Sequence, residues 1–208
     1  MENFDFSLSV QILFGKDRIE ELASAIAPYG KKVLLTYGGG SIKRMGLYDK
    51  VKSLLADCAV YELSGIAPNP KVDSVREGVK LCREHGIEVI LAVGGGSVID
   101  CSKAIAAAVY YEGDAWEMIA EGKPIDRALP IITVLTLSAT GSEADAGAVI
   151  SNPKTNEKLS LNAPVLMQKY PLWTRLTRSP CRQTRRQRGV RILCRTSWSS
   201  TLSPQALI

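Results

Sequence analysis

Two glycine-rich loops, each placed directly after an apolar run, constrain this 208-residue chain more than any other feature. The run 32–37 leads into Gly38, Gly39, Gly40 and Ser41, and the run 88–93 leads into Gly94, Gly95, Gly96 and Ser97. Glycine lets the backbone turn tightly and approach a phosphate, and a helix that starts just beyond the loop offers free N–H groups. Two such loops at one sheet edge predict a ligand with separated phosphates, such as a dinucleotide. The alternative is a pair of tight strand-to-helix turns, since neither loop has the G-x-G-x-x-G spacing.

Apolar periodicity alternates between strand and helix along most of the chain. This alternation predicts an α/β fold with a Rossmann-like, doubly wound and mostly parallel sheet. The predicted strands cover 10–14, 32–37, 59–63, 88–93 and 130–137, and the predicted helices cover 17–27, 48–55, 72–85 and 98–109. We expect loops at 65–70 and around Pro124, and a hairpin that pairs 146–151 with 158–160.

The residues after the first glycine loop indicate which dinucleotide would bind. Ordinary NAD sites place an Asp or Glu there, which bonds the ribose 2′-hydroxyl. Here Ser41, Lys43 and Arg44 follow the glycines instead and favour a 2′-phosphate, hence NADP over NAD. The alternative is that Lys43 and Arg44 are solvated helix charges. Segment 136–143 carries four hydroxyl side chains, which suit phosphate or ribose contacts or a simple Ser/Thr turn.

Composition excludes several classes of protein. With 46% apolar and 23% charged residues the chain is ordinary for a globular protein. No apolar run approaches the roughly 20 residues of a membrane helix. The acidic N-terminus predicts no signal peptide, and five cysteines without C-x-x-C spacing predict reduced thiols and a cytoplasmic protein. His85 is the single histidine, and we expect it at an exposed helix end. We therefore assign no catalytic residue and no metal ligand.

Taken together, these motifs resemble the iron-dependent alcohol dehydrogenase family, in its NADPH-dependent, butanol dehydrogenase-like branch. The resemblance covers residues 1 to about 170. It rests on Ile12 to Gly15, Tyr37 to Ser41, Gly65 to Pro70, Gly94 to Asp100 with Lys103, Thr136 to Glu143, and Gly147 to Ser151. It implies a dehydroquinate synthase-like N-terminal dinucleotide domain. We expect the family's C-terminal helical domain, which holds Fe²⁺ or Zn²⁺ through one Asp and three His, to be absent from this chain.

The resemblance also implies roles for individual residues. The loop Gly94, Gly95, Gly96 and Ser97 would hold the pyrophosphate, and Gly38, Gly39, Gly40 and Ser41 would lie at the adenosine ribose. Asn69 would lie near the adenine. The nicotinamide half would be lined by Asp100, Thr136, Thr140, Ser142 and Lys158. The implied activity is hydride transfer between NADP (or NAD) and a small alcohol or aldehyde. Members of the family are often homo-oligomers.

Residues 171–208 differ in composition from the rest of the chain. They contain eight arginines and no Asp, Glu or Lys, so the net charge of +5 leaves −3 for residues 1–170. Displacing the reading frame permits an Asp-Pro-Thr-Tyr-Thr segment from Trp173 onward and an Asp-x-x-x-His pattern from Arg191 onward, both typical of the family. We therefore expect domain 1–170 to be followed by an out-of-frame tail.

Three functions are considered. The gene encodes a metal- and NAD(P)-dependent alcohol dehydrogenase by family, and the chain as written is a dinucleotide-binding fragment without catalysis. These two are compatible, because the first describes the family and the second the molecule. As a third function, a genuine Arg-rich tail would bind nucleic acid or an anionic membrane surface. We expect neither nucleic acid nor membrane as a partner, because the tail lacks interleaved aromatic residues and mixes no lysine with its arginines.

Overall fold

Strands and helices alternate along the part of the chain that the computed structural model describes, which is residues 10–15, 17–167 and 170–174. The strands are β1 (Leu13–Gly15), β2 (Lys32–Tyr37), β3 (Ala59–Leu63), β4 (Val89–Gly94), β5 (Ile131–Leu135), β6 (Gly147–Asn152), β7 (Glu157–Asn162) and β8 (Tyr170–Thr174). The helices are α1 (Leu22–Ile26), α2 (Ser41–Arg44), α3 (Leu47–Leu54), α4 (Val72–His85), α5 (Gly96–Ala108) and α6 (Ala115–Ala120).

Six of these strands form one sheet in the order β1-β8-β5-β4-β2-β3, and every neighbouring pair is parallel. The chain passes from β2 to β3 on one side, but from β4 to β5 on the other. The strand order therefore reverses between β2 and β4. In sheets of this kind, ligands bind at the carboxyl ends of the strands next to such a reversal. The predicted doubly wound α/β sheet is confirmed.

Both faces of the sheet are covered by helices, which explains the continuous apolar runs in the sequence. Leu34 and Ile90 pack into a core with α4, α5 and α6. Their neighbours Val33, Leu35 and Leu91 point to the opposite face and pack with α1 and α3. A strand buried on both faces needs apolar residues at every position, because successive side chains alternate between the faces.

The predicted hairpin is confirmed as β6 and β7, an antiparallel pair that forms a separate two-stranded sheet. Its turn spans residues 153–156, and Asn156 takes a φ of 56°. The hairpin packs against α5. It also meets the loop before α4, where the Ser151 N–H donates to the Pro70 carbonyl at 2.9 Å.

The single helix predicted for 17–27 is wrong in detail. A 3-10 turn at Arg18–Glu21, the short helix α1 and a second 3-10 turn at Ala27–Tyr29 replace it. Pro28 has no N–H to donate, and its ring clashes with the carbonyl four residues earlier, so an α-helix cannot run through it. At the other end, Asp17 has a φ of 60°, outside the helical region.

Several other elements differ from the sequence prediction. The prediction missed α2, α6 and β8, and α5 begins at Gly96, two residues earlier than expected. The signal for α6 was present, because Asp114 caps it by accepting from the Trp116 N–H at 3.0 Å. β1 covers 13–15 rather than 10–14, and it pairs with β8 from the end of the described chain. β8 continues to Thr174, four residues past the expected domain boundary.

His85 is half-buried rather than exposed, which corrects the expectation for the single histidine. It is the last residue of α4, and Gly86, with a φ of 61°, ends the helix as predicted. The imidazole stacks on the ring of Tyr61 from β3, with 4.0 Å between ring centroids and 16° between planes. In the described part of the chain, no helix has the length and apolar character needed to cross a membrane. The residues of the expected tail from 175 onward lie outside the described residues.

We predict that Gly78→Ala lowers the free energy of unfolding. A Cβ at Gly78 in α4 would lie 2.7 Å from Ile105 Cγ1 and 3.1 Å from Leu63 Cδ2. Overpacking a buried contact costs about 1–3 kcal/mol. That exceeds the roughly 0.5–1 kcal/mol that alanine gains over glycine in a helix. Urea unfolding of the 208-residue chain measures the difference, with Lys80→Ala on the exposed side of α4 as the control. A variant as stable as the parent chain would contradict the prediction.

Candidate functional site

The loop after β4 is closely packed at its first and third glycines. A Cβ at Gly94 would lie 2.8 Å from Val98 Cβ, and a Cβ at Gly96 would lie 3.0 Å from Thr140 Cγ2. Gly96 also begins α5, a helix of 13 residues. The first-turn N–H groups of a helix have no partner within the helix, and its dipole is positive at that end. The loop therefore brings bare backbone and a positive helix end to the same place.

The loop after β2 uses glycine differently. A Cβ at Gly38 would lie 3.2 Å from the Ile66 carbonyl oxygen, whereas a Cβ at Gly39 would meet nothing within 4 Å. Gly40 takes a φ of 89° and precedes the short helix α2, which starts at Ser41. Gly39 therefore borders open space beside a tightly held turn.

The two loops lie next to each other because β2 and β4 are neighbours. Tyr37 pairs with Val93, so the glycines begin at the same level of the sheet. This is the point where the strand order reverses. The geometry brings together the two loops that the sequence placed 56 residues apart.

The segment after β5 forms a third wall of this cleft. The Thr136 N–H donates to the Gly94 carbonyl at 2.9 Å. The Thr140 side chain fills the space beside Gly96, and its Oγ1 accepts from the Ser142 N–H at 3.3 Å. The hydroxyl-rich segment is therefore a turn, and it is also built against the glycine loop.

Asp100 fastens this wall to α5. The carboxylate Oδ1 accepts from Ser142 Oγ at 2.6 Å, and Oδ2 accepts from the Val149 N–H at 3.2 Å. Burial raises the pKa of Asp100 above its usual 3.8, although these two hydrogen bonds oppose the rise. Both carboxylate oxygens thus serve to hold neighbouring segments in place.

Three further residues connect across the opposite end of the cleft. Lys158 on β7 donates from Nζ to Asn69 Oδ1 at 2.8 Å. The Asn69 N–H donates to Ser97 Oγ at 3.3 Å, and Asn69 has a φ of 57°. The hairpin, the 65–70 loop and the start of α5 therefore meet here. The resemblance had implied different parts of the cofactor for Asn69 and Lys158, whereas the structure joins the two side chains directly.

The sequence motifs include Lys103, but they did not predict its hydrogen bonds to the segment after β5. Its side chain is fully buried, one turn after Asp100 on α5. Nζ donates to the carbonyls of Ser142, Asp145 and Gly147 at 2.7, 2.9 and 2.7 Å, and to Asp145 Oδ1 at 2.6 Å. Burial lowers the pKa of Lys103 below its usual 10.5, against the hydrogen bond and charge of Asp145. The lysine gathers the 142–147 segment onto α5, and no local sequence pattern predicts those partners.

A second cluster, also missed, lies beside the loop after β2. Glu62 on β3 accepts from Tyr37 and Tyr48 hydroxyls at 2.9 and 2.8 Å, and from Lys52 Nζ at 3.1 Å. Burial alone would raise the pKa of Glu62, but the three hydrogen bonds outweigh it and hold the pKa below 4.5. The bond to Glu62 raises the pKa of Tyr48 to about 12. Glu62 is therefore an ionised anchor for two tyrosines.

Comparison with known proteins identifies the family. The sequence model of the iron-containing alcohol dehydrogenases matches residues 9–173. The chain belongs to the iron-containing alcohol dehydrogenase family. The resemblance seen in the sequence motifs is confirmed.

Relatives within the family include enzymes named for either nicotinamide cofactor. NADH-dependent butanol dehydrogenase B of Clostridium acetobutylicum is 51% identical over 174 residues, which cover 83% of this chain and 45% of that protein. NADPH-dependent aldehyde reductase YqhD of Escherichia coli is 44% identical over 181 residues, covering 84% and 46%. The crystal structure of NADH-dependent butanol dehydrogenase A of Thermotoga maritima matches with a TM-score of 0.78 and 43% identity, covering 84% of this chain and 44% of that one. The chain thus spans about half the length of these relatives.

The described residues do not fit the iron that the family's name implies. Within them, no group of three or more His, Cys, Asp or Glu side chains could hold a metal ion. His85 lies at the end of α4, stacked on Tyr61.

We predict that Lys103→Met lowers the free energy of unfolding by about 2–4 kcal/mol, because it leaves buried carbonyl oxygens without a donor. The matched control is Lys80→Met on α4, whose side chain is 72% exposed, and we expect a change below about 0.5 kcal/mol there. Urea unfolding of both variants gives the comparison. Equal stabilities for the two variants would show that the buried hydrogen bonds of Lys103 contribute nothing.

Proposed function

We propose that this chain binds a nicotinamide dinucleotide, NAD(P), in the cleft between the ends of β2 and β4. The observation that carries the proposal is the pair of glycine loops at the reversal of strand order, one of which opens a 13-residue helix. Helix N-termini and bare backbone amides favour phosphate groups. Membership in the family supports the same ligand.

In this proposal each segment of the cleft has one task. The loop 94–97 receives the pyrophosphate, the loop 38–41 receives the adenosine ribose, and Asn69 lies near the adenine. The nicotinamide half lies along Asp100, Thr136, Thr140 and Ser142. Lys158 bonds to Asn69, so we assign it to the same part of the cleft as Asn69 and not to the nicotinamide half. Asp100 and Lys103 on α5 position the 142–149 segment through their hydrogen bonds to it.

We further propose that the complete protein is a metal- and NAD(P)-dependent alcohol dehydrogenase or aldehyde reductase of the cytoplasm, acting on a small alcohol or aldehyde. The names of its relatives support that activity. The bound nicotinamide would supply the hydride chemistry. The described residues bind and orient the dinucleotide and shape the cleft. Since they contain no metal-binding cluster, we propose that the chain as written binds the dinucleotide without catalysing the reaction.

We predict that the 208-residue chain binds NAD(P)H and that Lys158→Met weakens the binding about tenfold, as expected for the loss of one charge-assisted hydrogen bond. Fluorescence titration of the reduced cofactor measures the dissociation constants. Lys154→Met, in the turn of the same hairpin, is the matched control because it removes the same charge from an exposed position. Absence of binding to the unmodified chain would overturn the proposed function, and equal losses in both variants would remove Lys158 from the site.

We also propose that the segment beyond about residue 171 is read in a displaced frame and has no nucleic-acid-binding role. The match to the family ends at residue 173, which supports the first part. We predict that resequencing the DNA across codons 165–210 reveals one or two bases lost or gained near codon 171. An unchanged frame would contradict the displaced reading. Salt-dependent DNA binding that disappears on deleting 171–208 would contradict the second part.

A further inference from the structure

The carboxylate that lies beside the loop after β2 is already occupied. Glu62 accepts three hydrogen bonds, two of them on Oε1 and one on Oε2. An NAD-binding site of the ordinary kind needs a carboxylate that is free to accept from the ribose 2′-hydroxyl. Glu62 is not free in this sense, because both of its oxygens already accept hydrogen bonds. Its charge is directed at the tyrosines instead.

The two tyrosines that Glu62 holds form a support for a lysine. Their rings meet edge to face, with 5.8 Å between centroids and 62° between planes. Lys43 Nζ lies 4.7 Å from the Tyr48 centroid and 5.4 Å from the Tyr37 centroid, within the range of a cation–π interaction. The faces of both rings thus hold one ammonium group in place.

This ammonium lies beside the loop that the ribose would occupy. Tyr37 is the last residue of β2 and directly precedes Gly38, and Lys43 is the third residue of α2, which begins with Ser41. Lys43 is exposed, whereas Tyr37 is buried. Gly39, between them in sequence, borders open space. The described residues therefore offer an accessible cation here, held on two aromatic rings, next to a carboxylate whose two oxygens both accept hydrogen bonds.

We propose that Lys43, held by Tyr37 and Tyr48 on the Glu62 anchor, is a specificity-determining residue that binds a ribose 2′-phosphate and makes the chain prefer NADPH to NADH. This inference rests on the proposed dinucleotide function. A lysine held in place loses less side-chain freedom when it binds an anion than a freely moving one does. Glu62 and the tyrosines are positioning residues, since they act through Lys43.

The test compares the two reduced dinucleotides on the full chain. We expect NADPH to bind the unmodified protein at least tenfold more tightly than NADH. Lys43→Met is expected to weaken NADPH binding about tenfold and NADH binding less than twofold. Lys43→Arg keeps the charge and should retain most of the preference. Lys50→Met on α3 removes a half-exposed charge elsewhere and serves as the control, with both affinities unchanged.

Two further variants test the support itself. Tyr48→Phe keeps the ring but removes its bond to Glu62, and Glu62→Gln removes the anchoring charge. We expect each to reduce the preference for NADPH about threefold while NADH binding stays constant. The preference should also fall as the salt concentration rises, because an exposed ion pair is screened. Circular dichroism and urea unfolding establish that each variant is folded before titration.

Loss of the NADPH preference and loss of dinucleotide binding are different results in these titrations. Equal binding of NADH and NADPH by the unmodified chain would overturn the inference and leave the dinucleotide function standing. The same conclusion follows if Lys43→Met weakens both cofactors alike, or if Glu62→Gln and Tyr48→Phe leave the preference unchanged. Failure of the unmodified chain to bind either cofactor would overturn the proposed function, and this inference with it.

Discussion

The reversal of strand order between β2 and β4 is the constraint on which the rest of the structure depends. Parallel strands all end at the same edge, and the reversal leaves a crevice there because the following segments leave in opposite directions. A Cβ would be crowded where these segments pass close to neighbours: at Gly94 it would overlap Val98, and at Gly38 it would press on the Ile66 carbonyl. Packing therefore favours glycine at some positions of the two loops, and the same bare backbone suits a phosphate.

Charged side chains then hold the walls of that crevice. Lys103 and Asp100 project from successive turns of α5 and bond to the segment that follows β5. On the other side of β2, Glu62 fixes two tyrosines that lie under Lys43. In each case an ionised group is used to position other residues. Lys103 is fully buried and costly to desolvate, so its hydrogen bonds to the 142–147 segment are needed to stabilise it, whereas Asp100 and Glu62 are half-buried.

Family membership covers most of this chain and about half of its relatives. The match to iron-containing alcohol dehydrogenases spans residues 9–173, and the chain spans about half the length of the relatives compared with it. The described residues form the parallel sheet with its two glycine loops, and no cluster able to bind a metal lies among them.

The sequence by itself determined the class of fold, most element positions and the location of the cleft. Apolar periodicity identified β2, β3, β4, α4 and the hairpin, because these patterns depend only on local burial. The glycine loops marked the edge of the sheet at which the strand order reverses, because each follows directly on a strand. Two short helices and the divided helix at 17–29 were missed because their caps and proline act over only a few residues.

Only the tertiary structure decided which distant segments meet. It inserted β8 between β1 and β5, although nothing in either sequence segment specifies that pairing. It buried Lys103 among carbonyl oxygens some 40 residues away, and it stacked His85 on Tyr61. It also directed the Glu62 carboxylate to two tyrosines. Such contacts depend on how the strands and helices pack together, and local sequence patterns carry no information about that packing.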